Sequence, residues 1–286
     1  MSDFDLHCHS NCSDGELPVG ELIDLACERG VRVLALTDHD TVQGVDAALD
    51  CAQGRLTVVP GIEVSITWYG LQIHIVGLFV DHHSRILQDL VSRQLEKRTE
   101  RAKAIGKKLE RLGFADAYKR TVEMSGENAI ITRGNYARYL YSIKAASSVD
   151  DAFNAFLKKG KKGYVKTQWI GLEECIRTIH ASGGYAVIAH PKRYKITSMV
   201  LRRLITEFKD LGGDAMEVSM SCQGDAERDY LAGLCRRFEL CASAGSDFHR
   251  MNSRRVLGQG LDLPGDLTPV WTLPAAQDYL SRAASA

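Results

Sequence analysis

The side chains of this 286-residue sequence best suited to chemistry are histidines and carboxylates that close short apolar runs. Near the N-terminus, "FDLHCHSNCSDG" places His7 and His9 two residues apart. Alternate side chains of a strand share a side, so Asp5, His7 and His9 should project one way and Phe4, Leu6 and Cys8 the other. Two imidazoles at that spacing can clasp one cation, and the turn-like "NCSDG" can fold the Asp14 carboxylate back over the strand end. "ALTDHDT" then delivers Asp38 and His39 after a buried run, and "VVPGIEVS" presents Glu63 after Pro60-Gly61. In "LQIHIVGL" His74 stands among apolar residues, where an unpaired ring would be costly; alone it reads first as a satisfied core histidine. "YAVIAHP" ends a strand in His190, and "CASAGSDFH" ends another in Asp247 and His249. Each has a bland explanation singly, but six histidines and three carboxylates, nearly all at predicted strand ends, are an improbable accident.

The elements that must position them alternate strand and helix. "FDLHCH", "VRVLALTD", "LTVVPGIEVSI", "LQIHIVGLFV", "YAVIAH", "AMEVS" and "CASAGSD" read as strands separated by amphipathic helices, a parallel, barrel-like α/β pattern that places chemistry at strand ends. Between residues 84 and 168 the pattern turns helical. Leu87, Val91, Leu95, Ala102, Ile105 and Leu109 predict one long amphipathic helix ended by Gly113, with more helix over 132–146 and 149–159. The expected organisation is therefore a barrel from 1–83 and 169–286 with an inserted helical subdomain at 84–168. Charge shifts at the same place: Ser84 to Lys166 carries 19 Lys and Arg against 9 Asp and Glu, while the whole chain is neutral. That is either a solvated helical face or a positive cover over an anionic substrate.

Composition narrows the setting. With 45% hydrophobic and 25% charged residues, no apolar run near a membrane span and no secretory-type start, a cytoplasmic protein without membrane or protein partner is expected. The eight cysteines form no C-x-x-C and are scattered through a long chain, which predicts free thiols and leaves Cys8 and Cys12 outside the chemistry.

The series "DLHCHS…SDG", "TDHDT", "PGIE", "IH", "AHP" and "GSDFH" resembles the PHP (polymerase and histidinol phosphatase) family over Asp5 to His249. The resemblance implies a distorted (β/α)7 barrel holding three divalent metal ions. Carried over by motif, His7, His9, Glu63 and Asp247 would hold the first ion, Asp14, His39 and His249 the second, and Glu63, His74 and His190 the third. Many relatives have histidine at the position of Asp14, so its carboxylate suggests manganese ahead of zinc or iron. The insertion, with "ITRGNYARYL" and "KKGKKGYV", most resembles 3′,5′-nucleotide bisphosphate phosphatases, also described as 5′-to-3′ exoribonucleases of the RNase AM type. That implies removal of the 3′-phosphate from a nucleoside 3′,5′-bisphosphate and attack on short RNA or DNA by a metal-activated hydroxide, with no protein nucleophile.

For a second phosphate, Arg133 and Arg193 are the expected clamps because guanidinium forks match phosphate oxygens, with Asn135, Lys192 and Arg138 behind them. Asp5 and Asp38 are expected to orient ligand imidazoles. Tyr136 or Tyr139 could stack a base or pack a helix core. His180 suits a helix C-terminus, His82-His83 reads as surface, Trp68-Tyr69-Gly70 as a hairpin tip, and the tail after Gly260 as a wrap around the barrel. The alternatives are a histidinol phosphatase, whose amine-bearing substrate favours acidic walls, and a non-catalytic nucleic-acid-binding module, which should have lost ligands.

Overall fold

The computed structural model describes residues 3–126, 129–251 and 253–284. Its elements run β1 (Phe4–Cys8), α1 (Val19–Glu28), β2 (Val33–Leu36), α2 (Val45–Ala52), β3 (Thr57–Trp68) and β4 (Leu71–Leu78). Four helices follow, α3 (Arg85–Glu110), α4 (Ala117–Ser125), α5 (Arg133–Ser142) and α6 (Val149–Ala152), the last continuing into a π-helical turn at Phe153–Leu157. The chain then returns to α7 (Leu172–Ala181), β5 (Tyr185–Ile188), α8 (Ser198–Asp210), β6 (Ala215–Met220), α9 (Asp225–Phe238), β7 (Cys241–Gly245) and α10 (Pro274–Ala283).

The seven strands pair in sequence order. The curl nearly closes where Asp247 N–H donates to His7 O (2.7 Å) and His9 N–H to Phe248 O (3.0 Å). Six strands point the same way, but β4 is antiparallel to both neighbours. The hairpin tip reverses it: Tyr69 and Gly70 sit at φ 44° and 75°, as a tight two-residue turn requires. Strict alternation does not hold in β1. Its register on β2 shifts between Asp5 and Cys8. Leu6 therefore joins the inner apolar cluster with Val33, Ala35, Val59 and Val187, while Cys8 packs with Leu34 and Leu36. The tail closes over that inner cluster through Val270 and Ala276, Trp271 stacking on Phe4 with ring centroids 4.3 Å apart.

The helices from α3 onward share an apolar cluster of Ala102, Ile105, Leu109, Tyr136 and Leu140, and Gly113 at φ 95° follows the end of α3. Tyr136 and Tyr139 are buried in it, and Tyr136 Oη donates to Ala102 O, so neither is free to stack a base. This packing rather than catalysis accounts for both rings. What fixes α3 to the barrel is polar and buried. Asp40, held at φ 53°, accepts from Arg98 Nε (2.5 Å) and Gln94 Nε2 (2.9 Å), and Ser65 N–H completes the set (2.7 Å). Removing one partner of such a pair leaves an uncompensated buried charge. Arg98→Ala should therefore cost about 3 kcal/mol, checked by urea unfolding; a loss below ~1 kcal/mol would mean Asp40 is satisfied without it.

Candidate metal centre

Four side chains from three strand ends converge at the carboxyl end of the barrel. His7 and His9 Nε2 are 3.1 Å apart, each within 3.1–3.5 Å of Glu63 Oε2 and Asp247 Oδ1. Bonds of 2.0–2.1 Å to one tetrahedral cation would put donors about 3.3 Å apart, so the arrangement has a cation's dimensions. Glu63 Oε2 is also buried without a hydrogen-bond partner, an orphan that a metal would satisfy. These are the residues grouped by motif for the first ion.

Beside them, Asp14 Oδ1, also without a hydrogen-bond partner, lies 3.3 Å from His249 Nε2 and 3.8 Å from His39 Nε2. His9 joins this group as well. For the third set, Glu63 Oε1 lies 2.9 Å from His74 Nδ1 and 2.8 Å from His190 Nε2. Those are hydrogen-bond distances, and the tighter donor grouping around His74 includes His39. All nine residues thus meet in one place.

Backbone shape permits the convergence. His190 and Asp247 lie in the left-handed region at φ 29° and 50°, strain that a functional position can carry. Gly245 has no Cβ because one would stand 2.3 Å from that of His7.

A carboxylate absent from the sequence reading orients the ligands. Glu217, on β6, accepts from His7 Nδ1 and from His190 N–H, both at 2.5 Å, leaving His7 Nε2 aimed at the centre. Its signal was there: glutamate inside the apolar "AMEVS" strand is too costly to bury unless paired. The expectation for Asp5 and Asp38 needs correcting, since neither accepts from a ligand imidazole. Asp5 accepts from Ser246 and Gly258 N–H, tying β1 to the end of β7, and Asp38 gathers Ser10 N–H, Ser10 Oγ and Ser13 Oγ, shaping the loop that carries Asp14. Backbone N–H groups and serine hydroxyls fill those lone pairs first.

Burial would lower His7, but Glu217 and Glu63 overcome it and raise it to about 10. Burial prevails at His39, His190 and His249, each pushed down to about 3. Asp14 and Glu63, which burial would raise, are held well below the carboxylate range by His39 and its neighbours. The neutral imidazoles of His39, His190 and His249 facing ionised carboxylates are what a dication needs, and at His7 a bound dication would take the place of the proton that Glu217 and Glu63 favour.

Over this centre opens a cavity of about 720 Å³ whose wall includes Arg98, Arg101, Arg133, Arg138, Arg193, Arg250, Arg254 and Arg255. Arg193 and Arg255 pair with Asp247 Oδ2, the latter at 2.8 Å. Arg138 Nη1 donates to Asp14 O (2.6 Å). Among the described residues Arg101 and Arg133 have no carboxylate at ion-pair distance, and Arg101 Nε is buried without a partner. Burial lowers the pKa of both. Two expected contacts lie elsewhere. Asn135 is consumed in capping α5, its Oδ1 accepting from Thr132 N–H (2.8 Å), and Lys192 reaches over Tyr230, 4.9 Å from its centroid. Phe153, from the π-helical turn, is the one aromatic side chain other than histidine among the described lining residues. The sequence reading passed over it and "HRMNSRR", the cluster after His249 that supplies three arginines.

Two outcomes follow from this electrostatics. Unfolded histidine takes a proton near pH 6.5, but His39, His190 and His249 refuse one until about 3, so their contribution is lost as pH falls from 6.5. The contribution of His7 runs oppositely, full below 6.5 and lost as pH rises toward 10. Chelator-treated protein should melt highest near neutral pH by circular dichroism; a flat profile from 4 to 6.5 would contradict the neutral imidazoles. Glu217→Gln should weaken metal retention about 10- to 100-fold with the fold intact, read by metal content after dialysis; unchanged retention would mean His7 is oriented otherwise.

Comparison with known proteins agrees with this geometry. Residues 5–219 match the PHP domain. The chain is 43% identical over 270 residues to a Haemophilus influenzae protein named 5′-3′ exoribonuclease, covering 94% of this chain and 97% of the relative. It is 37% identical over 273 residues to a 3′,5′-nucleoside bisphosphate phosphatase of Chromobacterium violaceum, covering 95% and 96%. Among solved structures, an amidohydrolase from Chromobacterium violaceum, with sulfate bound and no metal, aligns at TM-score 0.90 and 35% identity over 98% of this chain and 97% of that one. With strand-end histidines and carboxylates gathered as the motifs require, and three quarters of its length matched, the chain belongs to the PHP domain family.

Proposed function

We propose that this chain is a metal-dependent phosphohydrolase that removes the 3′-phosphate of nucleoside 3′,5′-bisphosphates and releases nucleotides from the 5′ end of short RNA or DNA. The observation that carries the reading is the pairing of a cation-sized donor cluster with two guanidinium groups that have no carboxylate partner among the described residues, Arg101 buried and Arg133 half-buried over the Phe153 ring, in one cavity. A dianionic group at the cluster and a second phosphate on these arginines would satisfy both. The names of the relatives, exoribonuclease and bisphosphate phosphatase, support the same substrate class.

The metal complement we infer is three divalent ions, manganese first, held by His7, His9, Glu63 and Asp247, by Asp14, His39 and His249, and by Glu63, His74 and His190. Such ions, when bound, neutralise phosphate oxygens and activate water at neutral pH. The chain's own part is positioning. Glu217 keeps His7 Nε2 presented, and Arg193 and Arg255 hold Asp247 Oδ2 so that Oδ1 faces the histidines. Arg101 and Arg133 receive the spectator phosphate, with 84–168 acting as its basic cover. Phe153 offers a face for the base, worth about 1–3 kcal/mol in comparable stacks. No cysteine stands among the described lining residues, Thr132 Oγ1 is committed to Asp14 Oδ2, and Ser253 Oγ accepts from Arg255 N–H with no histidine or carboxylate base among the described residues bonded to it, which favours water over a side-chain nucleophile. The arginine wall disfavours histidinol phosphate, whose amine it would repel.

The deciding experiment measures phosphate release, with manganese, from adenosine 3′,5′-bisphosphate, histidinol phosphate and 5′-phosphorylated RNA. Turnover of the first and third is expected; turnover of histidinol phosphate alone would sink the reading. Glu63→Gln should abolish activity and lower metal content together. Arg133→Ala should raise KM for the bisphosphate about tenfold and leave simple monophosphates nearly unchanged, and equal loss on both would remove its role.

A further inference from the structure

Away from the cavity, a second set of donors stands where the loop after β4 meets α2. His82 Nε2 lies 2.8 Å and His83 Nε2 3.3 Å from one oxygen, Oδ1 of Asp46, and the three donor atoms all fall within 4.8 Å of one another. None of the three residues lines the cavity. Neighbouring residues of an extended chain point apart, so two adjacent imidazoles aimed at one carboxylate oxygen need a specific turn.

The loop supplies that turn and holds it. Asp81 N–H donates to Ser182 O (2.7 Å), and Asp81 Oδ1 accepts from His83 N–H (3.0 Å). Gln88 Nε2 donates to His82 O, and Ser84 N–H returns to Asp81 O (3.0 Å). The rings lie 4.1 Å apart by centroid, His82 mostly buried and His83 exposed, so the donors open to solvent on one side. A single carboxylate oxygen facing two Nε2 atoms is served by two ring protons or by one cation. The 3.3 Å edge matches the roughly 3.3 Å spacing around a tetrahedral ion, and the exposed Asp46 carboxylate can swing the remaining half ångström.

We propose that Asp46, His82 and His83 form a peripheral site for a transition-metal dication of the zinc, nickel or copper class, completed by water. Two imidazole nitrogens and one carboxylate suit that class over magnesium or calcium, which prefer all-oxygen shells. The ion would fasten α2 to the loop that launches α3, the helix that carries Arg98 and Arg101 to the cavity.

The test uses the whole chain saturated with manganese, then equilibrated with zinc ion. Wild type should retain one more zinc per chain than His82→Ala/His83→Ala, and its melting temperature should rise more on adding zinc. Manganese-supported phosphatase activity should be the same in both. His83→Ala alone, an exposed change that spares the His82–Asp46 contact, should lose the same zinc while folding normally. Equal zinc stoichiometry and equal melting shifts in wild type and both variants would overturn the site.

Discussion

Burial of the Glu63 carboxylate is the constraint around which this structure is arranged. One oxygen lies 2.8–2.9 Å from His74 and His190, and the other 2.8–3.5 Å from His39, His9 and His7. A lone buried carboxylate would take up a proton or unfold the site; this one is ionised because five imidazoles from four other segments surround it. No single strand could do that. The curled sheet can, since it aims the ends of β1, β3, β5 and β7 at one point while the reversed β4 delivers His74 beside them.

The same demand explains features that local rules would discourage. His190 and Asp247 accept left-handed backbone, Gly245 gives up its side chain to let His7 approach, and Glu217 is buried in a strand to hold two ligand segments. Asp38 and Asp5 spend their oxygens on backbone and serine donors rather than on imidazoles, and in doing so set the loop of Asp14 and the seam between β1 and β7. Precision at the centre rests on carboxylates that never enter it.

The helices after β4 are joined to this centre. Thr132 Oγ1 donates to Asp14 Oδ2 (3.0 Å), Arg138 Nη1 to Asp14 O (2.6 Å), and a Cβ on Gly134 would stand 2.9 Å from Asp14 Oδ2. At the other end of the same set of helices, Arg98 and Gln94 lock onto Asp40, the residue after His39. The helices therefore touch two of the three segments of the Asp14–His39–His249 group, those of Asp14 and His39. The carboxylate at position 14 accepts from Thr132 through Oδ2 and keeps Oδ1 for the centre.

Most ligand positions were legible in the sequence because their signal is local: a polar residue that closes an apolar run can be read from its neighbours. His7, His9, His39, Glu63, His190, Asp247 and His249 are of this kind, and Asp14, the long helix and the hairpin tip likewise follow from turn chemistry and periodicity. The donor inventory, the order in which strands carry it and the basic middle are all written in the order of residues along the chain. Tertiary structure decided the partnerships. Glu217 meets His7 across 210 positions, Arg193, expected on a phosphate, pairs with Asp247, and Asn135 and Lys192 are spent on a cap and a ring. A buried charge must be paired, but which partner reaches it depends on how segments far apart in the chain come together, and no local pattern encodes that.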